Sequence, residues 1–271
     1  MNQQYADALL YWIEERERIR VKKEAGEPKP WSDDPVFKTT YFCNVHREDD
    51  KVTKWIRKFY SPFVYDPMFE YNIVLSRFVN KPSSLEEIGY LLDHNPDRIE
   101  DIMSRPGTWG NAYVITTHGI PMSKARYLAQ NVLGGAYRSL QALRSYGALP
   151  TCRAMHERLQ GLEGLGSFLA AQVVADLKNT EWHPLYTAED WWTFVAPGPG
   201  SIRGLSWFTH GRPDMMTTTG FQGGFQIVRD FIDKNCPVKM CNQDLQNCLC
   251  EFDKYCRVRT GTGRSKRGYN G

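Results

Sequence analysis

Several familiar catalytic signatures are missing from this sequence. No G-x-x-x-x-G-K-S/T loop occurs, which excludes a nucleotide-hydrolysing P-loop within these 271 residues. Neither H-E-x-x-H nor G-x-S-x-G is present, so the zinc-peptidase and serine-hydrolase templates have nothing to attach to. No apolar run approaches the length that crosses a bilayer, and the start has no signal-like stretch. The expectation is a soluble, cytoplasmic protein with no membrane partner. No internal repeat or low-complexity linker divides the chain. Charge of one sign is also scarce. A net charge of +3 is too small for generic polyanion binding, so any nucleic-acid role must rest on local patches.

What is present is an ordinary globular composition, 41% apolar and 24% charged, with aromatics at 13%. Such a chain buries a sizeable core, as one large domain or two packed ones. The seven cysteines are an odd number, and without a secretory signal reduced thiols are the default. Four of them, Cys241, Cys248, Cys250 and Cys256, have a spacing one residue short, at its middle interval, of a loop that holds a four-iron, four-sulfur cluster in some helix-hairpin-helix DNA glycosylases. Leu245, Leu249 and Phe252 carry a helical period straight through them. A regular helix aims those thiols in different directions, so buried thiols are expected and no metal is assigned.

The organising stretch is Leu159–Leu177. A helix ends, Gly161, Gly164 and Gly166 make a turn, and an apolar helix starts at Ser167. The free N–H groups of such a start suit phosphate. This is the pattern of a helix-hairpin-helix, which grips DNA backbone without reading sequence, and equally that of an αα-hairpin in a helical core. Gly164, Gly166 and Ser167 are the candidate DNA contacts.

Elsewhere the periodicity predicts a helix over residues 3–24, with Glu14/Arg18 among its charge pairs, and others near 52–60, 69–78, 84–92, 97–103, 123–146, 153–159, 223–235 and 244–257. The 123–146 helix has a candidate break at Gly134-Gly135. Arg77 is either a dipole partner or an inward-facing charge. Trp109–His118 is the best strand candidate, closed by Gly119 and Pro121, and would form one isolated hairpin. The fold class expected is mostly α with at most that one small β-hairpin: a single helical domain over residues 1–256, or two packed helical lobes within it. Residues 257–271 form a tail with five Lys/Arg and no acid. That tail is a candidate for phosphate contact and equally for a disordered, solvated end.

Three places carry candidate chemistry. At the apolar-to-polar junction after Thr40, Asn44, Arg47 and Asp50 precede a helix. Acidic residues there suit a helix dipole, but Arg47 and Asn44 gain nothing from that account. Asp190 follows the hairpin at roughly the distance at which helix-hairpin-helix glycosylases place a catalytic aspartate. The hairpin lysine of their lyase-type members is absent, with Phe168 near that place. In Pro197–Gly204, two prolines and three glycines within eight residues shape a loop suited to an anion, with Gly200, Ser201 and Arg203 as candidate contacts. On the last helix, Glu251 and Lys254 are placed off the buried face. Asp176 reads as a C-terminal cap of the hairpin helix and Asp50 as an ion pair with Lys54.

Four blocks together resemble a bacteriophage family: Phe42–Ile56 (FCNVHREDDKVTKWI), Gly164–Leu177 (GLGSFLAAQVVADL), Gly198–Leu205 (GPGSIRGL) and Cys250–Tyr255 (CEFDKY). It is the group of α-glutamyl/putrescinyl-thymine pyrophosphorylases, or amino acid:DNA transferases, with the related helical domain of 5-hydroxymethyluracil DNA kinases. The resemblance implies a DNA-glycosylase-like helical fold used for thymidine hypermodification. Its substrates would be double-stranded DNA bearing a 5-pyrophosphorylmethyl uracil and an amino acid or polyamine nucleophile, in the cytoplasm of an infected host. Arg47, Arg203, Lys254 and the Gly198–Ser201 loop would stabilise leaving pyrophosphate, Asp190 or Asp50 would take a proton, and Asn44 would bind the uracil edge of a flipped base. No cofactor is called for, with Mg²⁺ at the pyrophosphate left open. The alternatives are a monofunctional DNA glycosylase and a non-catalytic DNA-binding subunit partnering a 5-hydroxymethyluracil DNA kinase.

Overall fold

The computed structural model describes residues 1–113, 115–145 and 151–263. In chain order the helices are α1 (Gln3–Glu24), α2 (Pro35–Thr39), α3 (Lys51–Tyr60), α4 (Phe69–Val79), α5 (Pro82–Ile88), α6 (Pro96–Met103), α7 (Lys124–Arg126), α8 (Leu133–Ser145), α9 (Cys152–Gln160), α10 (Ser167–Lys178), α11 (Pro199–His210), α12 (Phe221–Asn235) and α13 (Asn242–Arg259). The fold is mostly α, and no strand occurs among the described residues. None of these helices is long and apolar enough to cross a membrane. Residues 264–271, most of the basic tail, lie outside the described residues, as do Val114 and Tyr146.

The chain divides into two compact units. The first combines Met1–Asp50 with Val195–Gly271, and the second is Lys51–Phe194.

In the first unit the core gathers Leu9, Trp12 and Ile13 of α1, Phe37 and Phe42, Phe208 of α11, Phe221 and Phe225 of α12, and Leu245, Leu249 and Phe252 of α13. The sequence after Pro197 does not form an open loop. Pro199 occupies the first turn of α11, where a missing N–H costs nothing, and Gly198 is its N-cap. The Ser201 hydroxyl closes that turn on the Gly198 backbone, at 3.0 Å from both N and O. Two other glycines of the segment set a helix crossing. A Cβ on Gly200 would stand 2.3 Å from Cys250 Sγ, and one on Gly204 would stand 1.9 Å from the Leu249 carbonyl oxygen. Only bare backbone lets α11 lie so close on α13. With that neighbour, α13 is buried over most of its circumference, Glu251 and Asp253 included. Glu251 therefore does not sit on an outer face. The charges of α1 pair as Glu15–Arg18 and Glu17–Arg20, not as Glu14–Arg18.

In the second unit α9 and α10 form the hairpin. Thr151 caps α9 by accepting from Ala154 N at 3.0 Å. Gly164 is the turn glycine that needs a positive φ, at +79°, whereas Gly166 is an extended N-cap. Asp176 does not cap α10. It meets Arg77 of α4 through two hydrogen bonds in a buried ion pair, and Arg77 also donates to Thr53 at 3.1 Å. Of the two readings of Arg77, the inward-facing charge is the one observed. Breaking such a pair from one side costs about 3–5 kcal/mol, since the partner is left buried and charged.

The helix expected over 123–146 begins at its Ser123 cap and runs through Gly134-Gly135 without interruption. Its irregularity is instead a π-helical turn over Tyr127–Val132. The candidate strand at Trp109–His118 is irregular. Trp109 Nε1 donates to Met103 O at 3.0 Å and Gly110 N to Val79 O at 2.9 Å. Helix ends thus take the donors that a ladder would have used. A β-like pattern without a partner segment does not make a strand.

Candidate functional site

The predicted residues fall in both units. Asn44, Arg47, Asp50, Gly200, Ser201, Arg203 and Lys254 belong to the first, while Gly164, Gly166, Ser167 and Asp190 belong to the second.

In the first unit the segment after Thr40 is held against α1 and α13 by polar contacts. From α1, Arg16 Nε donates to the Cys43 carbonyl at 2.9 Å, and its Nη2 donates to Asn44 Oδ1. A guanidinium only donates, so this contact fixes Oδ1 on the arginine side and leaves the Asn44 Nδ2 donors pointing elsewhere. From α13, Glu251 Oε2 accepts the Cys43 N–H at 3.0 Å, and Asn247 Nδ2 donates to Asn44 O at 3.1 Å. Asp244 accepts the Arg47 N–H at 3.1 Å and stands 3.6 Å from His46 Nδ1. The Arg47 guanidinium is mostly buried and bonds Glu48 at 3.0 Å.

Titration follows from these contacts. Hydrogen bonding to Asp244 raises the His46 imidazole above its usual range, against the opposing effect of burial. Burial alone would raise Asp244, yet the bonds from His46, Arg47 N and Cys241 together bring it below the carboxylate range. Burial pushes the Cys43 thiol up, and the carboxylates of Glu251 and Asp50 add to the rise. Asp50 also acts on the Tyr41 phenol, whose value burial raises. The segment 41–50 therefore brings Tyr41, Asn44 and Asp50 to one neighbourhood of charged groups around Cys43 and Arg16.

Lys254 pairs with Glu251 at 2.6 Å and lies 5.0 Å from the Phe42 ring centroid. It belongs to the same neighbourhood and is only about 21% exposed. Next to Lys254 on α13, buried Asp253 gathers Arg203 Nε at 3.0 Å, Arg257 Nε at 3.1 Å and Trp207 Nε1 at 3.3 Å. Arg203 is 43% exposed, so this anchor holds its stem while the head meets solvent. Cys250 lies between the two groups. Burial, reinforced by Glu251, pushes its thiol up to about 12, against the opposing charges of Lys254 and Arg203. Gly200 and Ser201 are placed by packing and by the cap described above.

The four cysteines of the iron–sulfur-like spacing do not converge. Cys248 Sγ donates to Val45 O at 3.8 Å, Cys241 Sγ to Asp244 at 3.3 Å, and Cys250 packs on Gly200. Among the described residues none of the seven cysteines forms a disulfide, and no three His, Cys, Asp or Glu side chains cluster to hold a metal.

In the second unit Asp190 accepts two backbone N–H groups at the start of α9, Cys152 at 2.7 Å and Arg153 at 2.9 Å. That is a capping arrangement at a helix N-terminus. Gly166 is exposed at the head of α10, and Ser167 O bonds His156 Nε2 at 2.9 Å. Exposed Phe168 follows, edge-on to Tyr113.

Arg16 and Glu251 escape a reading by motif. Arg16 sits in a mixed-charge stretch that looks solvated. The signal for it is the helical spacing Trp12, Arg16, Ile19, which puts it on the apolar face of α1. Glu251 carries no such mark, because its burial comes with the distant segment after Thr40, whose Cys43 N–H it accepts.

The family model described as "5-hmdU DNA kinase, helical domain" matches residues 3–265. No curated protein and no solved structure matches the chain. The match extends over nearly the whole sequence and takes in the Asn44–Asp50 segment, the hairpin and α13. The chain belongs to the family of 5-hmdU DNA kinase helical domains.

Proposed function

We propose that this protein modifies thymine-position bases in DNA by displacing pyrophosphate from a 5-pyrophosphorylmethyl uracil with an amino acid or polyamine. The observation that carries the proposal is the grouping of Asn44, Asp50 and Lys254 around Cys43, on the segment that also bears Arg47, in the first unit of a chain from a DNA-base-modifying family. In the step itself the amine nitrogen forms a bond to the 5-methylene carbon. The carbon–oxygen bond to pyrophosphate breaks and its electron pair leaves with the pyrophosphate.

Arg47, Lys254 and Arg203 supply the positive charge that this leaving group needs. The amine arrives as an ammonium, and Asp50 or Asp190 takes its proton. Asp190 already accepts two backbone N–H groups, which favours Asp50. Asn44, its Oδ1 held by Arg16, offers Nδ2 to a uracil carbonyl. Gly164, Gly166 and Ser167 contact the DNA phosphates through backbone N–H groups. No phosphate loop occurs within these 271 residues, and the proposed step takes a base that is already phosphorylated.

The family description favours a second reading, a DNA-binding helical unit that serves such a kinase without chemistry of its own. One experiment separates the two. Duplex DNA carrying 5-pyrophosphorylmethyluracil is incubated with the protein, amino acids and polyamines, with and without Mg²⁺, and its nucleosides are analysed by mass spectrometry. A new adduct with released pyrophosphate supports the transfer. Loss of free base indicates a glycosylase, and bound but unchanged DNA indicates the accessory unit. Either of the last two overturns the transfer reading.

A further inference from the structure

Where α11 crosses α13, one buried carboxylate holds two guanidinium groups. Asp253 Oδ2 accepts both Arg203 Nε at 3.0 Å and Arg257 Nε at 3.1 Å, while Oδ1 accepts the Trp207 indole N–H at 3.3 Å. A carboxylate taken from water needs such partners, and one guanidinium with the indole would supply them. The second guanidinium brings the group to a net positive charge. Arg257 lies within α13 rather than in the basic tail, and the transfer step described above does not use it.

The shared oxygen also sets the geometry. Both arginines spend only Nε on Asp253, and among the described residues the Nη groups of neither make a hydrogen bond. The two planar heads are thus held side by side, each partly exposed. Past α13 the chain turns back, with Gly263 N donating to Arg257 O at 3.2 Å. A Cβ on Gly263 would stand 2.9 Å from Arg257 Nη1, so a side chain there would crowd a head that glycine leaves room for.

We propose that Arg203 and Arg257, both tethered to Asp253, form one phosphoryl-binding fork. Each arginine offers its Nη donors to phosphate oxygens, and Asp253 is the positioning residue that keeps the two heads together. A phosphoryl group carries more charge and more acceptor oxygens than a carboxylate, so it answers two guanidinium groups better. Because the heads are fixed before a ligand arrives, binding costs little further ordering. The same chemistry comes from free pyrophosphate or from a phosphate of a DNA strand. As a site for the leaving group the fork rests on the transfer reading; as a site for a phosphoryl group it rests on the geometry alone.

The test is titration calorimetry on the full chain with inorganic pyrophosphate and with a short unmodified DNA duplex. The probe that binds the wild type more tightly identifies the source. Arg203→Gln and Arg257→Gln should each lose about tenfold or more in affinity for it. The double variant should lose little more than either single one, because the two heads act as a unit. Arg257→Lys keeps the ion pair with Asp253, so it reports on the fork even where the glutamine variant fails to fold, and it should lose about fivefold. Arg259→Gln removes the same charge near the end of the same helix and should stay within about twofold. Unchanged affinity in Arg257→Gln or Arg257→Lys would overturn the proposal. So would additive losses in the double variant, an equal loss in Arg259→Gln, or no binding by either probe. None of these readouts requires amine transfer, so failure of the transfer reading leaves them unaffected.

Discussion

Replacing Asp190 with alanine tests whether this carboxylate holds the hairpin or performs chemistry. Its two oxygens accept from Cys152 N at 2.7 Å and Arg153 N at 2.9 Å, so the substitution strips two charge-assisted bonds from the start of α9. Hydrogen bonds to a charged group contribute about 1.5–3 kcal/mol, and loss of a cap costs about 0.5–2 kcal/mol. Asp190 is partly exposed, water replaces some of what is lost, and Thr151 still caps Ala154. The net cost should therefore be about 2 kcal/mol for alanine and roughly half of that for asparagine, which keeps one acceptor oxygen. The assay is urea denaturation of both variants, with amide exchange followed at Cys152 and Arg153. Exchange at those two amides should accelerate more than exchange in α10. An alanine variant within about 0.5 kcal/mol of wild type, with unchanged exchange, would refute the capping argument. An asparagine variant that keeps its stability yet loses transfer per folded molecule would place Asp190 in the chemistry.

Two further outcomes follow from the first unit. His46 and Asp244 contribute most while both are charged. That contribution is complete below the ordinary imidazole value of about 6.5 and is lost as pH rises through the elevated value of His46. On the acid side it is present above the ordinary carboxylate value of about 3.9 and lost as pH falls through the lowered value of Asp244. Unfolding free energy should thus decline above about pH 6.5 in the wild type and lose that slope in His46→Ala, and parallel curves would contradict the pairing. Gly200→Ala should destabilise by about 1–3 kcal/mol through overpacking against Cys250 Sγ, and Cys250→Ala in the same chain should restore most of it. Additive effects in that double-mutant cycle would mean that the two helices do not meet at this point.

Local signals in the sequence were sufficient for most of the helices. The period of α1 and the Thr151 cap of α9 are written in neighbouring residues, and the structure reproduces both within a residue or two. The glycine-rich turn was equally legible, since Gly164 takes the backbone angle that glycine alone adopts freely. Of the two related groups that the four-block resemblance names, the family match shows the 5-hmdU DNA kinase helical domain. Other features depend on which segments pack together, and no local pattern encodes that. Trp109–His118 looked like a strand because alternation shows only one side of a ladder, and no second side exists among the described residues. Pro197–Gly200 looked like a loop because its two prolines and two glycines also suit the start of a helix lying against another backbone. Glu251 and Asp253 were invisible as buried charges, because burial is set by the distant segments that pack over them. Residue types and spacing thus determined the helices and the candidate chemistry. Tertiary packing decided which charges are buried and which are paired, as at Arg77 with Asp176 and at Asp253 with Arg203.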